Sequence, residues 1–171
     1  RAGDSFEADL AAKEELRLVG ADGSAQTLAA EWAEAPGGRF RATCTVPADL
    51  PPGAYALEAG SDRNTRAVFI RQSFPETYLV AHVTDTHVGR EGADAAFRDT
   101  VRRLNESQAA FALITGDLTD QGTPEQFRLF LEILEDCAIP TFVCAGNHDR
   151  RDLNYEAAFG PLVYRFRFGP D

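Results

Sequence analysis

The sequence predicts an α/β protein in two parts: an amino-terminal β-sandwich, then a βαβαβ unit with a parallel sheet. Three observations carry this. Up to about residue 71, hydrophobicity alternates with a period of two and is punctuated by turn residues. Beyond residue 78, continuous apolar runs alternate with stretches of helical periodicity. Between them, residues 72–77 with Pro75 interrupt regular structure. The expected domains are therefore 1–75 and 76–171. The strand–helix order of the second implies right-handed crossovers between parallel strands.

In the first part, Phe40, Ala42, Cys44 and Val46 alternate with Arg39, Arg41, Thr43 and Thr45, the pattern of a strand with one buried face. Residues 47–53 form a Pro-rich turn, and Tyr55, Leu57 and Ala59 alternate again. Residues 60–64 read as a turn, 67–70 as a third strand and 15–19 as a fourth, closed by Ala21-Asp22-Gly23-Ser24. Short strands with such turns suggest a small sandwich. It holds no histidine, its acids fall mainly in turns and on polar faces, and Trp32 reads as packing. An accessory or packing domain is expected there.

In the second part, residues 78–83, 111–115 and 141–145 are apolar strands. Residues 93–105 place Phe97, Val101 and Leu104 on one helical face. Thr123, Pro124 and Gln126 have the spacing of an N-cap, first helical residue and capping box. The helix they open runs to about 136 with Phe127, Phe130, Leu131 and Leu134 inward. Residues 163–168 read as a further strand. His82, inside the first strand, is expected to be a packed core residue, and Arg150 and Arg151 a solvated pair. Strands this apolar suit a parallel sheet buried on both faces.

Composition narrows the function. The chain has 27 Asp and Glu against 17 Lys and Arg, a net charge of -10. That argues against nucleic acid as a partner, because phosphate backbones are gripped by Lys and Arg. A small phosphate ester stays open, since bound metal ions supply positive charge locally. No apolar run reaches the length of a membrane span. The chain starts at Arg1, contains no Met and shows no leader of signal-peptide type, so a processed or engineered piece of a longer protein is expected. Cys44, Cys137 and Cys144 are an odd number without metal-type spacing and are expected to be buried free thiols.

The chemistry gathers beyond the carboxyl ends of the three apolar strands, where open α/β sheets bind ligands. The loops are Asp85-Thr86-His87, Gly116-Asp117-Leu118-Thr119-Asp120 and Gly146-Asn147-His148-Asp149. On an extended backbone, Asp85 and His87 would project to the same side. Carboxylate and imidazole suit zinc, manganese or iron. Asp117 has two oxygens with which to bridge two ions, and Asn147 offers a neutral carbonyl oxygen. Gly116 and Gly146 permit sharp turns and close approach. Any one of these loops is ordinary turn chemistry. Their joint placement, in order, on three successive strands is the signature of a metal site.

The series Asp85-x-His87, Gly116-Asp117-x-x-Asp120, Gly146-Asn147-His148-Asp149 resembles the calcineurin-like metallophosphoesterase superfamily over residues 78–171. Within it, residues 116–122 look like the bacterial cyclic-nucleotide phosphodiesterase-like branch. Purple acid phosphatases also carry a β-domain in front, but place Tyr where Asp120 stands, which argues against that branch. The resemblance implies the first half of a two-sheet αββα sandwich holding two divalent metal ions (manganese, iron or zinc). It implies that Asp85 and His87 bind the first ion, that Asp117 bridges both, and that Asn147 binds the second. His148 would act on the phosphate, oriented by Asp120, and Asp149 would steady the loop.

The family pattern continues with three further metal-binding histidines. This chain has three His in all, and none follows His148. The expected function is metal-dependent hydrolysis of a phosphate ester, leaning to a phosphodiester, by the full-length protein. The 171-residue piece itself is expected to be inactive, and to self-associate through a bare sheet face or cover that face with the sandwich. The alternatives are a phosphomonoesterase of the same superfamily and a non-catalytic binding or scaffold module.

Overall fold

The chain divides into two compact units, Arg1–Phe74 and Pro75–Asp171. A computed structural model describes residues 1–166, 168 and 169. The first unit holds β1 (Ser5–Leu10), β2 (Leu16–Val19), β3 (Ala25–Thr27), β4 (Ala29–Ala35), β5 (Arg39–Thr45), β6 (Gly53–Ala59) and β7 (Asp62–Ile70). They form two antiparallel sheets, ordered β1-β5-β4 and β3-β2-β6-β7. Leu16 and Leu18, Ala42 and Cys44, Tyr55 and Ile70 bury their side chains in one core shared by both sheets, with Trp32 packed at its margin. This is a β-sandwich.

Three strands, β1, β3 and β4, go beyond those the sequence pattern marks. The turn expected over 60–64 shrinks to Gly60 and Ser61, because Ala59 already pairs with Asp62. Gly60 sits at a φ of 55°, and a glycine at the first position of a two-residue hairpin loop is what a II′ turn requires.

The second unit holds a parallel sheet ordered β10-β9-β8, from β8 (Leu79–Thr84), β9 (Ala109–Thr115) and β10 (Thr141–Cys144). Helices α1 (Ala93–Glu106), α2 (Pro124–Glu135) and α3 (Asn154–Phe159) complete it. Thr123 caps α2, its hydroxyl accepting from the Gln126 amide at 3.3 Å. The Gln126 side chain reaches past the cap and accepts from the Gln121 amide at 2.7 Å. Phe97 and Val101 of α1, Phe127 and Phe130 of α2 and Tyr155 of α3 enclose Ala112, Ile114 and Val143 of the sheet. Ile133 is buried, whereas Leu131, expected inward, is 38% exposed. Leu131 lies at the edge of the apolar stripe, lining a groove with Ala157 and Ala158 of α3.

The opposite sheet face is only partly covered. Phe111 is buried there among the rings of Tyr78, Phe142, Phe166 and Phe168. Phe166 stacks on Phe142 at 3.6 Å, and the Tyr164 hydroxyl donates to the Val143 carbonyl at 2.6 Å. Residues 163–166 do this as irregular chain, so the strand expected over 163–168 is not formed there; Arg167 lies outside the described residues. Val80, His82 and Cys144 lie on this same face and are exposed. His82 is therefore not a core residue, and its Nε2 lies 2.6 Å from the Thr115 hydroxyl. Cys44 and Cys137 are buried free thiols, but Cys144 is exposed, because the helices cover the other side of β10.

Candidate metal centre

Beyond the strand ends, the backbone ladder continues into the loops. Asp85, His87 and Val88 donate their amides to the carbonyls of Gly116, Asp117 and Leu118 at 3.2, 2.9 and 3.0 Å. Gly116 donates to Cys144 at 2.9 Å. The loops are thus fixed by main-chain bonds that do not depend on side-chain identity. The route is not the extended one expected from the spacing of Asp85 and His87. Asp85, His87 and Asp117 have φ values of 55°, 44° and 45°, all in the left-handed region. Each such residue costs about 1–3 kcal/mol and persists only where its surroundings over-determine it; these residues cluster at functional sites.

The side chains converge despite this route. His87 Nε2 lies 3.9 Å from both Asp85 Oδ1 and Asp117 Oδ2. Donor atoms of all three lie within 4.8 Å of one another. Two donors each about 2.1 Å from one ion are at most about 4.2 Å apart, so both 3.9 Å spacings suit a shared cation. Among the described residues, neither carboxylate forms an ion pair with a lysine or arginine, and each faces the His87 ring instead. Asp117 is held against Gly146, where an added Cβ would come within 2.1 Å of Asp117 Oδ1 and 2.2 Å of its amide nitrogen. Only glycine fits there.

Asp149 braces the loops from below. It is fully buried and accepts from the amides of Leu118, Thr119 and Gly146, each at 2.9 Å, and from the Thr119 hydroxyl at 2.8 Å. It thereby ties the loop after β9 to the loop after β10.

His148 is exposed, with its backbone amide donating to Asp117 Oδ1 at 3.1 Å. Its ring Nδ1 lies 2.5 Å from the Asp120 main-chain carbonyl. A carbonyl only accepts, so Nδ1 carries the hydrogen and Nε2 is the atom left free to act. The Asp120 carbonyl, and then the charges of Asp117, Asp120 and Asp149, push the His148 pKa above its ordinary value against the opposing effect of desolvation. The link from Asp120 to His148 thus runs through the main chain. The Asp120 carboxylate points elsewhere, its Oδ1 3.6 Å from His87 Nδ1. That nitrogen is buried and lacks a hydrogen-bond partner among the described residues. The His87 and His148 rings stand nearly perpendicular at 4.9 Å. Asn147 is exposed between Gly146 and His148, and its side chain makes no hydrogen bond among the described residues.

Three supporting residues escape sequence reasoning. The Thr84 hydroxyl lies 2.5 Å from Asp85 Oδ2 and 2.6 Å from the Thr115 carbonyl. Thr86 donates to the Leu118 carbonyl at 2.7 Å. Buried Thr119 accepts from the Gly122 amide at 3.1 Å. Threonines at strand ends and in loops are common, and no sequence signal separates these from the rest.

A family model described as calcineurin-like phosphoesterase matches residues 78–169, more than half of the chain. The chain belongs to the calcineurin-like phosphoesterase family. The matched span contains all three loops. A curated relative from Arcobacter nitrofigilis, described as a probable glycerophosphodiester phosphodiesterase GpdQ, is 31% identical over 84 residues. The match covers 43% of this chain and 31% of the relative, so the chain spans about a third of that protein's length. A solved purple acid phosphatase, PPD1 from yellow lupin (Lupinus luteus) seeds, is 14% identical, with a TM-score of 0.46. That comparison covers 95% of this chain and 38% of the phosphatase.

The donor set of this family member fits a divalent ion. Two carboxylates and an imidazole converge without a lysine or arginine partner, each from a left-handed residue. A second cluster, His87, Asp120 and His148, adjoins the first and shares His87 with it.

Proposed function

We propose that the protein to which this chain belongs hydrolyses a phosphate ester, and more specifically a phosphodiester, at a two-metal site. The observation that carries this reading is the convergence of Asp85, His87 and Asp117 from two adjacent strand ends. In this reading Asp85 and His87 hold the first ion, Asp117 serves both, and Asn147 holds the second. Two divalent ions (manganese, iron or zinc) would polarise the phosphoryl oxygens and supply the positive charge that an acidic chain lacks.

His148 stands beside this pair with Nδ1 committed to the Asp120 carbonyl. Its Nε2 is free to donate a proton to a phosphoryl or leaving oxygen. The upward push on its pKa favours the protonated form needed for that donation. The lean to diesters rests on the relative named as a glycerophosphodiester phosphodiesterase. Turnover of bis-p-nitrophenyl phosphate against p-nitrophenyl phosphate by the intact protein tests it. Faster diester turnover is expected, and a preference for the monoester would overturn the diester assignment while leaving the metal site standing. For the 171-residue chain we further propose self-association through the sheet face without helices, where Val80 and Val163 are exposed.

A further inference from the structure

We propose that Asp120 is a positioning residue for His87: its carboxylate takes the Nδ1 hydrogen of that ring and so presents Nε2, as a lone pair, to the space between Asp85 and Asp117. This inference rests on the metal site proposed above. It starts from an unmet need. His87 Nδ1 is buried and has no hydrogen-bond partner among the described residues. A buried donor left without an acceptor costs about 1–3 kcal/mol. The Asp120 carboxylate oxygen is 3.6 Å away, just beyond hydrogen-bond length. A shift of a few tenths of an ångström closes it.

The two tautomers of His87 have opposite consequences. With hydrogen on Nε2, the ring would aim a donor at Asp85 Oδ1 and Asp117 Oδ2, each 3.9 Å away, and could not ligate through that atom. With hydrogen on Nδ1, Nε2 becomes a ligand and the hydrogen needs an acceptor, for which the Asp120 carboxylate stands nearby among the described residues. A carboxylate on the far nitrogen of a ligating histidine fixes its tautomer and raises its basicity. Asp120 is not free to do the same for His148 by its carboxylate, because His148 Nδ1 is already engaged by the Asp120 carbonyl at 2.5 Å. One residue thus sets both rings, His148 through its main chain and His87 through its side chain. A competing arrangement would use the Asp120 carboxylate as a ligand together with His87 and His148, whose donor atoms also cluster. That arrangement demands the opposite tautomer of His87 if Nδ1 is the ligating atom, which makes the two separable.

The test uses the metal-free 171-residue chain labelled with nitrogen-15 in histidine. Long-range proton–nitrogen correlation spectra assign each ring's tautomer at a pH well above the usual histidine pKa of about 6.5. The expected result is an Nδ1–H tautomer for His87 in the wild type. In Asp120→Ala, His87 should move to the Nε2–H form while His148 keeps its Nδ1–H form. In Asp120→Asn, whose amide oxygen still accepts, His87 should keep the Nδ1–H form. Manganese affinity measured by calorimetry should fall about 10–100-fold in Asp120→Ala and recover in Asp120→Asn. An Nε2–H tautomer of His87 in the wild type would overturn the proposal, whether or not Asp120→Ala folds. So would Asp120→Ala changing His148 and sparing His87. A wild-type chain with the expected tautomers that bound no manganese would overturn the metal-site reading instead.

Discussion

Gly146 and Asp117 show how tightly single residues constrain this site. A Cβ at 146 would press on both the carboxylate and the amide of Asp117. Gly146→Ala should therefore displace the proposed bridging ligand while Asp149 still holds the loops. Manganese affinity is expected to drop about tenfold or more, with the far-ultraviolet circular dichroism unchanged. Calorimetry on the variant checks this, and an unaltered affinity would show that Asp117 does not bind the ion. His148 offers a pH-dependent check. Its folded pKa is raised, first by the Asp120 carbonyl, so the protonated form is favoured by folding. That contribution is present below the unfolded value of about 6.5 and is lost as pH rises through the higher folded value. Proton NMR of the metal-free chain should place the His148 midpoint above that of a free histidine; a midpoint below it would contradict the Nδ1–carbonyl bond. At this scale the sequence named the cluster but not its posture. Residue types and order marked Asp85, His87, Asp117 and His148. Nothing in the sequence announces that Asp85, His87 and Asp117 take left-handed backbone, or that Asp120 meets His148 through its carbonyl and His87 through its carboxylate. Those depend on main-chain bonds between loops distant in sequence.

Elements with strong periodicity were legible, and those with weak contrast were not. β5 alternates apolar Phe40, Ala42 and Cys44 with polar residues, and α1 and α2 carry clear stripes. β4 runs Ala29–Ala35 with four alanines on half-buried and exposed positions alike, and alanine signals neither face nor strand. β3 is three residues long and lies at a sheet edge, too short for any period to show. The segment 163–166 has the residues of a strand, but no strand among the described residues pairs with it, and Phe166 instead stacks flat on Phe142 and meets Phe111 edge-on. The start of α2 illustrates local chemistry that did transfer: the Thr123 hydroxyl caps the Gln126 amide. Thr123→Ala should lower the stability of the second unit by about 1 kcal/mol, read from urea denaturation, because the first-turn amide loses its acceptor. A change within error would mean that the Gln126 contact with Gln121 alone secures the helix start.

On the scale of the whole molecule, the parallel sheet has one face sealed by helices and another sealed only around Phe111. On that second face Val80 is 42% exposed and Val163 is 88% exposed. Sedimentation equilibrium of the 171-residue chain should therefore show a concentration-dependent rise in mass, and a strict monomer at high concentration would remove the self-association proposal. The order β10-β9-β8 explains why three loops far apart in sequence form one site: each rises from the same edge of adjacent parallel strands. That order followed from the strand–helix alternation, so the placement of the site was legible even where its local backbone was not. The charge balance points the same way, since an acidic chain handles a phosphate ester only if cations come with it. The central claim is that Asp117 holds the metal and that His148, its neighbour across the loops, acts beside it. Manganese binding to the wild type, Asp117→Ala and His148→Ala, measured by calorimetry under one buffer condition, tests this most directly. The account predicts that Asp117→Ala abolishes binding and that His148→Ala binds nearly as the wild type does. Binding that survives in Asp117→Ala but is lost in His148→Ala would contradict it.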